Sequence, residues 1–116
     1  MATLSFADLK AKAEETQKEN GLVFIAKDGK EILLRPLLHL SKTELKNALA
    51  HVKVIENEDF DFEVRLDAID QILVVAADRK DAMKKSLADL PTESRMEIFS
   101  AWMEAAQGPE ASSSTS

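Results

Sequence analysis

The chain contains no cysteine, no tyrosine and one tryptophan, with only three glycines and three prolines in 116 residues. Without cysteine there is no disulfide framework and no thiolate metal site. Few glycines and prolines, in a chain rich in Leu and Ala, favour helices over turn-dense β structure. Basic residues are also in short supply: 15 Lys and Arg face 21 Asp and Glu, for a formal charge of −6 and a pI near 4.9. Such a surface repels phosphate, which argues against a broad nucleic-acid face and against anionic membranes. No apolar run approaches the roughly 18 residues of a membrane span. The N-terminus, Met1-Ala-Thr-Leu-Ser-Phe-Ala-Asp8, lacks the basic and apolar regions of a secretory signal. The expectation is a chain that stays in the compartment where it is made.

What is present reads as one domain of ordinary globular composition, 45% hydrophobic and 31% charged. Residues 5–19 predict a first helix, capped by Ser5 and carrying only Phe6, Leu9 and Ala13 as an apolar stripe. So narrow a stripe predicts loose packing or completion by a partner. Asn20-Gly21 predicts a left-handed C-terminal cap. Leu22–Ala26 and Glu31–Arg35 flank Lys27-Asp-Gly-Lys30, an aspartate-glycine hairpin signal of the kind met in primed turns. Pro36 ends the second strand.

Ser41-Lys-Thr-Glu44 is a capping box and opens a helix to about Glu56, with Leu45, Leu49, Val52 and Ile55 on one face. The run Glu56–Glu63 holds five acids and no base, and interrupts the helical period. It reads as a link, or as a docking strip for a basic partner, with Phe60 and Phe62 as anchors. A third helix over 62–77 presents Phe62, Leu66, Ile69, Leu73 and Ala76, widened by Val64, Ile72, Val74 and Val75; such girth predicts the central helix of a bundle. Asp78 is the expected cap of a short helix over 79–89 with Met83, Leu87 and Leu90 inside. After Pro91, with Thr92 as cap, the last helix is expected to bury Met96, Phe99, Met103 and Ala106, with Trp102 beside them, and to stop at Gly108-Pro109. The fold expected is thus mainly α, a small bundle of four to five helices with one hairpin at about 22–35, forming a single domain over 1–108. A flexible serine-rich tail follows at 109–116.

No catalytic constellation stands out. His39 and His51 are twelve residues apart, without the i, i+4 spacing of a two-histidine metal site. The acid run lacks the central glycine and ligand order of a calcium loop. Asp67 and Asp70 lie on a helix surface with no pocket in view, and Arg79–Lys85 reads as the outer face of a short helix. Phosphate loops, nucleophile elbows and Cys/His pairs are missing. The reading is a binding protein rather than an enzyme, with no catalytic residue, metal or cofactor. Its candidate partner surface is Phe60, Phe62, Phe99, Trp102 and Met103. Trp is enriched at interface hot spots and Met adapts to varied surfaces, while the same stripe at helical spacing is equally a core.

Taken in order, the features resemble the small tail assembly chaperones of long-tailed (siphovirus-type) actinobacteriophages. The resemblance rests on the short first helix, the hairpin running into Ile32–Leu40 (ILLRPLLHL) and the capped helix, the acidic link before a Leu/Ile/Val-rich helix, and the ending IFSAWMEAAQGPEASSSTS. It implies a protein of the infected bacterial cytoplasm that binds and solubilises the tape measure protein, helps recruit the tail tube protein, and is absent from the mature virion. It also implies a longer frameshifted form diverging near the serine-rich end, and leaves room for a homo-oligomer. The alternatives are a structural tail completion or head–tail connector protein, and an acidic inhibitor that mimics DNA.

Overall fold

A computed structural model describes the backbone of residues 2–114 and the side chains of residues 2–106. Over the described residues, five helices and one antiparallel hairpin make up the fold, as the composition and periodicity predict. Helix α1 (Phe6–Asn20) is followed by strands β1 (Leu22–Ile25) and β2 (Glu31–Leu34). A 3-10 turn at Leu37–His39 leads to α2 (Lys42–Glu56), α3 (Phe62–Ala76), α4 (Lys80–Ala88) and α5 (Thr92–Ser114).

The helix starts are chemically specified. The Ser5 hydroxyl accepts from the Asp8 amide at 3.0 Å. At α2 the capping box is complete, with the Glu44 amide donating to Ser41 and the Ser41 amide donating to the Glu44 carboxylate. Two other expected caps differ. Asp78 does not cap α4; its carboxylate accepts from the Leu33 amide at 2.9 Å, so it serves the sheet. Thr92 is already helical, and the helix opens on Pro91, whose carbonyl accepts from the Arg95 amide. The left-handed cap expected at Gly21 is also absent, since its φ is −88° and extended. Glycine is needed there for space: an added Cβ would sit 2.6 Å from the Gln17 carbonyl oxygen and 3.0 Å from Leu33 Cδ1.

The hairpin pairs Leu22 with Leu34, Val23 with Leu33, Phe24 with Ile32 and Ile25 with Glu31. Gly29, at φ +82°, is the only left-handed residue among those described. Asp28 is therefore not left-handed, which rules out the I′ turn and leaves a three-residue loop closed by the Ala26 amide to Lys30 carbonyl bond. Ile32 and Leu34 are fully buried, and Leu22 and Phe24 pack against the same core from β1. The hairpin thus lies on the helices rather than standing free, as a two-stranded unit must.

The core is centred on α3, which touches α2, α4, α5 and β2. Its buried positions are Ala68, Ile69, Ile72, Leu73 and Ala76, so the inward face starts one turn later than predicted and Phe62 lies outside it. On α2 the fully buried residue is Ala48, whereas Leu49 is exposed. The inward face of α5 is likewise rotated: Ile98 and Trp102 are buried, Phe99 is half-buried, and Met96 and Met103 are exposed. Trp102 decides that rotation, having the largest apolar area to bury and an indole N–H that finds the Arg35 carbonyl at 2.9 Å. Helix α5 also runs beyond Gly108-Pro109, where a stop is predicted. Of the predicted tail, residues 115 and 116 lie outside the described chain.

Candidate partner-binding surfaces

The five residues singled out from sequence separate into three groups. Trp102 is 1% exposed, enclosed among β2, α3 and α5 core residues, and presents nothing to a partner. The core reading of the aromatic stripe holds for it, because an indole hydrogen-bonded to Arg35 has no reason to leave. Phe99 packs on it, ring centroids 6.0 Å apart and tilted by 44°. Phe62 is 60% exposed. It shares with Phe99 a groove of about 220 Å³, together with Ile55, Leu66, Ile69 and Met96. Phe60 and Met103 are exposed but do not line this groove.

The groove follows from helix faces that carry more apolar residues than the core accepts. Phe62, Leu66 and Ile69 rise along α3 at four- and three-residue steps, while Met96 and Phe99 face them from α5. Phe62 and Met96 are the members expected in the core, because each shares the helical spacing of an expected core stripe. One cation, Arg65, lines the groove, and its Nε donates to the Ile55 carbonyl at the end of α2. The link Asn57–Asp61 leads into Phe62 and brings exposed Glu58, Asp59 and Asp61, with Glu56 and Glu63 at the flanking helix ends. The link is a turn held locally: the Asn57 side chain accepts from the Asp59 amide and the Asn57 carbonyl from the Phe60 amide.

A second apolar surface lies on α1. None of its residues is buried, and Phe6 is 81% exposed with Leu9 one turn on. Its main contact with the body is against α5, and only Thr16, Gln17 and Asn20 of its residues are half-buried. Loose packing is therefore what the structure contains.

The remaining charged clusters are structural. Arg35 donates to both oxygens of Glu44 and to the carbonyls of Val75 and Ala76, and Lys80 bridges Glu44, Val75 and Ala77. The two cations sit on the C-terminal carbonyls of α3, which have no partner within the helix and where the helix dipole favours positive charge. The Arg35 hydrogen bonds hold the Glu44 carboxyl far below the usual carboxylate range, against the opposing effect of burial. Arg79 pairs with Asp28 at 2.8 Å and lowers its pKa, and Lys80 pairs with Glu44, so the first two cations of the short basic cluster balance neighbouring acids. Burial pushes the Asp70 carboxyl up, although Arg95 lies 2.8 Å away. His51 bonds within its own helix, to the Asn47 carbonyl at 2.8 Å. Among the described residues no three His, Asp or Glu side chains gather in a metal-binding group, and no helix is long and apolar enough to cross a membrane.

Comparisons with protein-family models, with characterised proteins and with solved structures return no match.

Proposed function

We propose that this chain is a tail assembly chaperone of a long-tailed bacteriophage, acting by stoichiometric binding in the host cytoplasm. The observation that carries the reading is the α3–α5 groove, an apolar surface left open beside an acid-rich link. A groove of this kind suits one face of an amphipathic client helix, and the acids favour a client with basic flanks. The exposed stripe of α1 adds a second apolar surface for the same purpose. The client in this reading is the tape measure protein, with tail tube subunits recruited to the coated client. The order of sequence features supports the choice of family, and the open surfaces support the mode of action.

Co-expression with the tape measure protein of the same phage tests it. The client should be soluble with the intact chain and aggregate with the double variant F62E/M96E. That variant should keep its helical circular dichroism, because both side chains are already exposed. A client equally soluble without this chain ends the proposal. Recovery of the chain in purified particles would point instead to a structural tail protein.

A further inference from the structure

The hairpin has one closed edge and one open one. In the observed register, the Ala26 amide bonds the Lys30 carbonyl, so residues 22, 24 and 26 turn their backbone polar groups toward β2. On β2 the outward-turned groups are taken except, among the described residues, the Glu31 amide. Leu33 exchanges bonds with Asp78, the Arg35 amide donates to Ala76, and the Glu31 carbonyl accepts from Arg79. On β1 the outward-turned groups belong to Val23 and Ile25. Among the described residues neither has a hydrogen-bond partner on that side. The next outward amide, that of Lys27, is closed by the Ser86 hydroxyl at 3.0 Å. The open edge is therefore three residues long, with two donors and two acceptors at the two-residue period of a strand.

Apart from its shortness, this edge carries none of the usual protection in its own residues. It has no proline, bulge or charge at 23–25, and its side chains are apolar and outward, with Val23 51% and Ile25 58% exposed. Beside it runs a groove of about 390 Å³ between β1 and α5, walled by Leu90, Ser94, Glu97 and Ile98. We propose that the open edge of β1 is a docking site for a short extended segment of another polypeptide, which pairs with Val23 and Ile25 and drops one aliphatic side chain into the groove. By strand alternation, the residue opposite Phe24 points toward the groove, while its two neighbours lie across from Val23 and Ile25 on the outer face. Glu97, exposed and without an ion-pair partner among the described residues, selects a basic residue next to the apolar triplet.

A second copy of the chain is a poorer occupant. Its own Leu90, Ser94 and Ile98 would have to share the groove face with the first set. Three paired residues also fall far short of the roughly 1,200 Å² that a stable dimer buries.

The test uses the full ¹⁵N-labelled chain and the acetylated, amidated peptide Gly-Ser-Val-Leu-Val-Lys-Gly, which in antiparallel pairing sets the lysine toward the Leu22 end and Glu97. Titration should shift the Val23 and Ile25 amides saturably and give cross-strand NOEs to the peptide. N-methylation of either valine, which removes a donor facing β1, should weaken binding about tenfold, the worth of one hydrogen bond. N-methylation of the leucine, whose amide faces away, should leave binding unchanged. Val23→Pro should also weaken it, since it deletes an outward donor and no ladder bond. Three outcomes overturn the proposal: no shift at Val23 and Ile25 up to the peptide's solubility limit, equal effects of all three N-methylations, or protection of both amides from exchange in the free chain. A concentration-dependent dimer that shifts the same two amides without peptide would overturn it in favour of a second copy.

Discussion

Gly21 joins α1 to β1 in an extended conformation that any residue adopts, yet no other residue fits there. A Cβ would meet the Gln17 carbonyl oxygen, a backbone atom that cannot rotate away, at 2.6 Å. Gly21→Ala is expected to destabilise the fold by roughly 1–3 kcal/mol, the usual cost of forcing backbone apart in a packed region. Chemical denaturation measures it, and an unchanged midpoint would mean that α1 simply swings away. Trp102 teaches the converse lesson. Its helical spacing was visible in the sequence, but spacing alone does not choose between Trp102 and Met96 as the inward residue. The choice falls to a long-range partner, the Arg35 carbonyl, 67 positions away.

Helix α3 ends against β2, and its last carbonyls are gathered by Arg35 and Lys80, both anchored on Glu44 of α2. This clamp joins elements that apolar packing alone would leave free to slide. Glu44→Gln is expected to cost about 1–2 kcal/mol at neutral pH, less than a fully buried pair because the carboxylate is still partly solvated. The Glu44 pKa is lowered in the folded chain, so its contribution is fully present above the ordinary value of 4.5 and is lost as pH falls through its folded value. The stability gap between the parent chain and Glu44→Gln should therefore narrow as unfolding is followed from pH 5 to pH 2. A gap that stays constant would show that the carboxylate is not the source. The capping box that starts α2 was legible as Ser41-Lys-Thr-Glu44, but the second use of Glu44 as the hub of this clamp was not. It depends on Arg35 and Lys80 arriving from either side.

For the whole molecule, the inward apolar faces of the hairpin, α3, α4 and α5 form one core, and α1 contributes no buried residue to it. Deleting residues 2–20 should therefore leave a cooperatively folding body, with a loss of no more than about 2 kcal/mol. Thermal unfolding of the truncated chain checks this. A non-cooperative melt would mean that the half-buried Thr16, Gln17 and Asn20 matter more than their exposure implies. The open surfaces lie at the margins of this core: the α3–α5 groove, the β1 edge and the stripe of α1.

Local chemistry was enough to determine the elements. The Ser5 and Ser41 caps, the aspartate-glycine turn and the 3.6-residue period place five helices and a hairpin, all but the end of α5 within a residue or two, because each signal acts over one turn of chain. Which of two competing apolar faces turns inward was decided only by the tertiary structure. So Phe62 and Met96 ended outside with Trp102 inside, and Asp78 became a sheet partner rather than a cap. Burial is settled by whichever surface arrives opposite, and an unpaired strand edge exists only once its neighbours have taken the other one.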